Sequence, residues 1–346
     1  MPLATRHDVF IRFFPQAPAF RWRQIEREFF AVPKKTWAHL LTLPREMRTQ
    51  LAVRVPWVSY TQSEVFSSKK KDTYKAVLTL VDGARVETVL MANARDQWTI
   101  CVSSQVGCAM ACTFCATGKM GFTRNLSSDE IVDQYRFWRY YLAQHPDLPK
   151  RISNVVFMGM GEPMANYDQV KRAVQTWLEF TDLGRTRITV STVGFLPRLE
   201  KLIDDPDWPH VRLAVSLHSA DGTTRKEIVP TSYDDFLARL RTWAQNYLKK
   251  YGQGRHHLTF EYVMLSDVND TDMHAKKLAR FVNQIGKVRV NLIPYNFTDG
   301  KFAKSRETQI IAFKKILEDA GVTVTVRKTM GDDIAAACGQ LITQKS

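Results

Sequence analysis

The sequence predicts an α/β fold: an open, partial (β/α)6 barrel, preceded by a small N-terminal helical region and a β-hairpin extension. Three observations carry this. From residue 98 onward, short apolar, β-branched runs alternate with longer amphipathic stretches, the pattern of parallel strands joined by right-handed helical crossovers. Six such units are too few for a closed eight-stranded barrel. Before them, the apolar period is helical up to about residue 55 and then turns β-rich.

The elements follow in order. Residues 20–30 place Trp22, Ile25 and Phe29 on one helical face. A second helical segment follows Pro44, a residue type that suits a helix's first turn. Residues 73–80 and 85–90 are β-rich, with Asp82-Gly83 as a hairpin turn between them. Strands are expected at 98–102, 152–158, 187–191, 211–216, 258–264 and 288–293, and 322–326 reads as a last strand. The first long helix should start at Ser127, which with Glu130 forms a capping box. Others are expected at about 167–180, 233–250, 272–285 and 306–320. The divisions are then 1–60 as a helical accessory region, 61–95 as the extension, 96–330 as the barrel core and 331–346 as a C-terminal loop.

The chain has 346 residues, 45% hydrophobic and 24% charged, the composition of an ordinary globular protein with a sizeable core. It holds no run of about 18 apolar residues, which excludes a helical membrane span, and residues 1–10 lack the apolar core of a signal peptide. Five cysteines without a disulfide-like framework suit a reducing compartment, so the cytoplasm is expected. The net charge of +14 points to a polyanionic partner, most simply nucleic acid. The excess is spread over Arg21-Trp22-Arg23, Lys69-Lys70-Lys71, Arg136-Phe137-Trp138-Arg139 and Arg185-Thr186-Arg187. Arginine beside aromatics suits phosphate pairing and stacking on unpaired bases; the plainer reading of each cluster is a solvated helix face.

Four of the five cysteines fall within residues 101–115, and Cys108, Cys112 and Cys115 have the spacing C-x-x-x-C-x-x-C. Thiolates this close suit one iron–sulfur cluster. Three ligands leave one iron without a protein donor, and an open position is where a substrate or cofactor binds. Cys101 lies where the preceding strand should end and is not expected to be the fourth ligand. A structural zinc site would need a fourth ligand, yet there is no second C-x-x-C pair, and His210 and His218 are distant in sequence. Three chance-buried cysteines at this spacing are the remaining alternative.

In a barrel of this kind the active site forms at the C-terminal ends of the strands, and the polar motifs fall there. Gly159-Met160-Gly161-Glu162-Pro163 leaves the second strand with glycines that let backbone approach a ligand, and Glu162 is suited to accept hydrogen bonds from an ammonium or a ribose. Ser191 ends the third strand and Ser216-Leu217-His218 the fourth, with Asn291 in the sixth and Asn296 beyond it. His218 reads equally as a functional or a buried structural histidine. Cys338 lies between Gly331 and Gly339, in a tail able to bend back over the barrel mouth, although a lone cysteine is more often inert.

These residues resemble the radical S-adenosylmethionine (SAM) RNA methyltransferases that act on adenine in large-subunit ribosomal RNA, the RlmN/Cfr family. The resemblance runs from about residue 85 to 341. It rests on Val86-Glu87-Thr88, Cys101 through Cys108, Cys112-Thr113-Phe114-Cys115, Gly159 through Pro163, Ser191-Thr192, Ser216-Leu217-His218, Asn291 through Asn296 and Ala337-Cys338-Gly339-Gln340. It implies a four-iron four-sulfur cluster on Cys108, Cys112 and Cys115. It also implies SAM contacts from Gly161, Glu162, Ser191, Ser216, Leu217, His218 and Asn296.

The resemblance gives the other two cysteines roles. Carbon 2 of adenine is electrophilic and cannot attack the SAM methyl directly. Cys338 is implied to take a methyl from one SAM as a thiolate nucleophile. A second SAM, reductively cleaved, supplies a radical that takes hydrogen from the methylated Cys338, whose carbon then adds to the base. Cys101 resolves the crosslink and leaves a disulfide with Cys338. Glu87 removes the ring proton, with Cys101 as the competing base. The nucleotide must be unpaired or extruded. The implied partners are ribosomal RNA, with transfer RNA as a further candidate, and an electron donor such as flavodoxin or ferredoxin, acting on a monomer. Gly161-Glu162-Pro163 favours carbon 2 over carbon 8, the position linked to antibiotic resistance. The alternatives from other classes are a radical SAM activase acting on a protein and a zinc-stabilised RNA-binding module.

Overall fold

A computed structural model describes residues 4–32, 35–252, 258–298 and 301–341; residues 342–346 of the expected C-terminal loop lie outside it. The N-terminal region holds α1 (Arg6–Phe13), α2 (Ala19–Phe29) and α3 (Arg45–Arg54). Trp22, Ile25 and Phe29 are buried on one face of α2, as the period predicts, and α3 starts directly after Pro44.

Among the described residues ten strands form one open sheet. Its first three are antiparallel: β1 (Tyr60–Ser67), β2 (Thr73–Leu80) and β3 (Arg85–Ala92). Gly83 makes the β2–β3 turn at φ 85°, and the Asp82 carboxylate accepts from the Ala84 N–H at 3.0 Å. The expected hairpin thus gains an edge strand, β1. Six of its eight residues are exposed, so it has no alternation for a sequence reading to detect.

β3 pairs antiparallel with β4 (Trp98–Cys101), which carries the extension into the parallel part of the sheet. A small ribbon of β5 (Gln105–Gly107) and β6 (Phe122–Asn125) brackets the cysteine loop, in which α4 (Ala116–Lys119) forms one turn. The parallel order then continues through β7 (Ile152–Phe157), β8 (Ile188–Thr192), β9 (Arg212–Ser216), β10 (Leu258–Met264), β11 (Arg289–Pro294) and β12 (Thr323–Val326). The α/β architecture agrees with the sequence, with one parallel strand more than six units require. The sheet ends at β1 and β12 and does not close.

The crossover helices are α5 (Ser128–Gln144), α6 (Tyr167–Phe180), α7 (Leu196–Asp204), α8 (Gly222–Ile228), α9 (Phe236–Tyr251), α10 (Asp272–Asn283) and α11 (Glu307–Asp319). Both bonds of the predicted capping box start α5: the Ser127 N–H donates to the Glu130 carboxylate at 2.8 Å, and the Glu130 N–H to Ser127 Oγ at 3.2 Å. The short helices α7 and α8 went unread, although α7 carries a helical period in Leu196, Leu199 and Leu202, all buried. Among the described residues no helix is long and apolar enough to cross a membrane.

α5 also anchors the N-terminal helices. Asp133, fully buried, pairs with the buried Arg6 and Arg136 and accepts the Ser59 N–H at 2.6 Å. Arg136 Nε donates to the Phe29 carbonyl at 2.9 Å and its Nη2 to the Trp57 carbonyl at 2.9 Å. Arg136 therefore belongs to a structural joint, which removes it from the expected RNA-facing clusters. Arg23 is engaged as well, its Nε donating to Glu179 at 3.0 Å.

Burial alone would raise the Asp133 carboxyl, but Arg136 and Arg6 outweigh it and hold its pKa below the ordinary value. Replacing Asp133 with Ala leaves the buried Arg136 guanidinium without its anion and Arg6 with only Asp129, at 3.5 Å. We expect a loss of about 3–5 kcal/mol in denaturant unfolding. A folded pKa below the unfolded one means the stabilisation is full above roughly pH 4–5 and fades only as pH falls through the depressed value. Proteolysis of the wild-type joint should therefore begin only under stronger acid, whereas the variant should be cut at neutral pH.

Candidate active site at the strand ends

The cysteine loop leaves β4 and returns along the β5–β6 ribbon. Its fold is held by backbone bonds: the Cys108 N–H donates to the Gly121 carbonyl at 2.9 Å, the Cys115 N–H to the Cys112 carbonyl at 3.1 Å, and the Thr113 N–H to the Ile228 carbonyl at the end of α8 at 2.9 Å. Gly118 is tight against this turn; a Cβ there would meet the Cys112 carbonyl oxygen at 2.9 Å. The loop forms one wall of a cavity of about 120 Å³ at the C-terminal ends of β7 to β11.

Of the thirteen sequence-predicted site residues, ten line this cavity: Cys108, Cys112, Cys115, Gly161, Glu162, Ser191, Ser216, His218, Asn296 and Cys338. The exceptions are Leu217, Glu87 and Cys101. The Leu217 side chain is fully buried in the hydrophobic core, so only its backbone remains for a ligand. Glu87 and Cys101 lie behind the wall. Ser103 Oγ donates to the Glu87 carbonyl at 2.6 Å and accepts the Met160 N–H at 2.9 Å, which joins β3 to the Gly159–Gly161 turn.

The glycine turn is tight chiefly because it packs against protein. A Cβ on Gly159 would stand 2.7 Å from the Val102 carbonyl oxygen, and one on Gly161, at φ +98°, 2.5 Å from the Gln105 side chain. Glu162 is buried with its two oxygens accepting the Met164 and Val193 N–H groups, each at 2.8 Å. Desolvation pushes its carboxyl up to about 7, although those bonds oppose the rise. His218 sits at φ 56°, its Nδ1 accepting the Val263 N–H at 3.1 Å, which leaves the hydrogen on Nε2. Burial, reinforced by Arg225, lowers it to about 3, so the ring is neutral at physiological pH. It packs edge-on against Phe114, with ring centroids 4.7 Å apart.

The tail docks on the cysteine loop. Gly331 and Gly339 both have positive φ, and the turn between them folds as expected. The Ala116 N–H donates to the Gly339 carbonyl at 2.8 Å, Thr117 Oγ1 to the Leu341 carbonyl at 2.6 Å, and Asn296 Nδ2 to the Cys338 carbonyl at 3.0 Å. Cys338 is crowded by protein, which pushes its thiol up to about 11, yet it is accessible because it lines the open cavity. Accessibility is the better guide to its reactivity. Cys101 is buried, its thiol raised to about 12 first by desolvation and then by the nearby Cys338. All five cysteines are free, so the expected disulfide is absent from this state. Ionising either sulfur for exchange calls for a base or a nearby positive charge, since burial favours the neutral thiol.

Three neighbours escaped the sequence reading. Lys75 pairs with Glu87 at 3.2 Å and donates to the Ala335 carbonyl at 3.3 Å, tying β2, β3 and the tail together. Glu261 lines the cavity, accepts from Asn291 at 2.9 Å and lies 3.6 Å from Arg327. A charged side chain inside the strand run 258–264, with no other charge in it, was the signal for it. Arg225, fully buried, had no signal in sequence.

The donor set fits an iron–sulfur cluster. Desolvation drives the Cys108 thiol to about 12 and Cys112 well above its ordinary value, so these sulfurs need a cationic partner to ionise. Among the described residues no three His, Cys, Asp or Glu groups converge on one metal ion. Thiolates spread round a cavity suit a cluster, in which each sulfur takes a different iron.

Comparison with known proteins agrees with this geometry. The Radical SAM superfamily model matches residues 102–279. The chain is 40% identical to the Dual-specificity RNA methyltransferase RlmN of Alcanivorax borkumensis, with 95% of this chain and 88% of that protein covered. The corresponding enzyme of Desulfotalea psychrophila is 39% identical over 95% of this chain and 90% of its own length. A radical SAM methyltransferase from Sphaerobacter thermophilus superposes with a TM-score of 0.86 at 37% identity, covering 97% of both chains. With its cysteine loop, strand-end cavity and docked tail, the chain belongs to the radical SAM superfamily and, within it, to the RlmN-type RNA methyltransferases, which use a four-iron four-sulfur cluster and SAM.

Proposed function

We propose that this protein methylates carbon 2 of an adenine in large-subunit ribosomal RNA, with transfer RNA as a second substrate, through a methyl group carried on Cys338. The observation that carries the reading is the docked tail: Cys338 lines the same cavity as Cys108, Cys112 and Cys115, with Cys101 near enough to feel its charge. Gly161-Glu162-Pro163 favours carbon 2 over carbon 8. The RNA methyltransferase family argues against both an activase and a zinc module.

In this reading Cys108, Cys112 and Cys115 hold the cluster. Gly161, Glu162, Ser191, Ser216, His218 and Asn296 bind SAM, with Leu217 restricted to its backbone. The cluster with bound SAM supplies one-electron cleavage and hence hydrogen abstraction. The protein's own groups do the rest. Cys338 loses its proton to the solvent of the open cavity, and its sulfur forms a bond to the SAM methyl as the sulfonium bond breaks and the demethylated thioether leaves. After that carbon has joined the base, the adduct radical gives up one electron, for which the cluster would be the acceptor, and Glu87, steadied by Lys75, takes the ring proton, with Cys101 as the competing base. Cys101 then attacks the Cys338 sulfur: a disulfide forms, the carbon–sulfur bond breaks and the carbon takes a proton. Residues 1–60 serve as the RNA-binding accessory region of a monomer, 61–95 as a hairpin linker, 96–330 as the core and 331–346 as the methyl-carrying loop. A flavodoxin or ferredoxin in the cytoplasm supplies the electrons.

Exchanging any one of Cys108, Cys112 or Cys115 for Ala should remove the brown absorbance of reconstituted protein and all SAM cleavage. Full cleavage in one of the three would refute its ligand role.

The two remaining cysteines should fail differently. Cys338→Ala has no methyl acceptor and should form no crosslink. Cys101→Ala should trap a covalent protein–RNA adduct, seen as a ribonuclease-sensitive shift on a denaturing gel. A clean Cys101→Ala protein with normal turnover would refute the resolving role.

Lys69, Lys70 and Lys71 are exposed, and the Lys69 N–H donates to Asp333 of the tail at 2.8 Å, which sets this cluster beside the Cys338 loop. Changing all three to Gln should weaken RNA binding and flatten its dependence on salt, by about 0.7 in log–log slope for each single-strand phosphate no longer neutralised. An unchanged slope would make the cluster a solvated turn.

A further inference from the structure

Arg225, on α8, is 1% exposed. Its guanidinium donates only to backbone carbonyls: Nη1 to Ser216 at 3.1 Å and to Leu217, and Nη2 to Val193 at 2.6 Å. Its Nε, also buried, has no hydrogen-bond partner. The Phe236 ring covers one face at 3.9 Å. Among the described residues no carboxylate lies within ion-pair distance of it, unlike the buried Arg6 and Arg136, which share Asp133. A buried cation in this state lacks the anion that normally offsets desolvation.

The nearby groups that become anionic on binding a cluster are the cysteine thiols. α8 ends against the cysteine loop, where the Ile228 carbonyl accepts both the N–H and the hydroxyl of Thr113, at 2.9 and 3.2 Å. Thr113 is the neighbour of Cys112, and a thiolate at Cys112 and the charge on Arg225 stabilise each other.

We propose that Arg225 is the buried counter-charge of the iron–sulfur cluster: a positioning residue that ties the ends of β8 and β9 together while its unpaired charge favours the reduced cluster. Reduction adds one electron and one negative charge to a site in low dielectric. A fixed cation beside it stabilises the reduced form more than the oxidised form. The α8 register sets this distance, since Arg225 leaves the helix one turn before Ile228.

The inference rests on the ligand assignment proposed above, and one experiment separates the two. Wild type, Arg225→Met and Arg225→Lys are reconstituted anaerobically as full-length protein. Iron and sulfide per chain are measured, and the cluster potential is read by redox titration followed by electron paramagnetic resonance. Wild type lacking iron and sulfide would sink the ligand reading itself. With the cluster present, Arg225→Met should cut the ratio of reduced to oxidised cluster at a fixed potential at least tenfold, a shift of about 59 mV for one electron. Arg225→Lys should stay within a few fold of wild type, because it keeps the charge and loses the fork. If Arg225→Met does not fold, Arg225→Gln, which keeps donors for two of the carbonyls, is read the same way. An unchanged potential in the neutral variant, or an equal shift in Arg225→Lys, would reduce Arg225 to a structural clamp.

Discussion

The site depends on one docking event between segments over two hundred residues apart. The tail lays its Gly339 and Leu341 carbonyls on the amide of Ala116 and the hydroxyl of Thr117, at the start of the short helix after Cys115. A helix start has unpaired N–H groups to offer, and the Gly339 carbonyl takes up the one on Ala116. Two glycines with positive φ allow the chain to turn back sharply enough to reach it. Without this contact Cys338 would be a lone thiol on a loose end. With it, Cys338 lines the cavity formed by the cluster loop and the strand ends.

Buried charge is handled in two ways. Asp133 is satisfied twice over by Arg6 and Arg136, a closed arrangement that fastens the N-terminal helices to α5 and holds its carboxyl below the ordinary range. Around the cavity the groups are left incomplete. Burial raises Glu162 to about 7 and the Cys108 thiol to about 12, and lowers Arg225 to about 9. Each of these shifts comes first from desolvation, so each group favours a partner of opposite charge or a hydrogen-bonding ligand. That contrast marks the cavity as the place for chemistry and the joint as architecture.

Much of this was legible in the chain itself. The C-x-x-x-C-x-x-C spacing, the alternation of strands and helices after residue 98, the Ser127–Glu130 capping box and the strand-end positions of Glu162, Ser191, Ser216 and His218 are local properties, carried by residues a few positions apart. Local spacing survives folding because it is set by helix and strand geometry. The family resemblance could therefore be read from the chain alone, and the comparisons bear it out.

Tertiary structure decided what depends on distant contacts. It turned Arg136 from an expected RNA contact into a buried clamp, withdrew Leu217 into the core, and put Glu87 and Cys101 behind the cavity wall with Lys75 as an unforeseen partner. It also set Arg225, a cation without a carboxylate partner among the described residues, near the cysteine loop. The amino-acid sequence determined which chemistry the protein carries, because ligand type and spacing are written residue by residue. Which charges are buried, and against what, was decided only when strands far apart in sequence paired, because desolvation belongs to the packed environment and not to the residue.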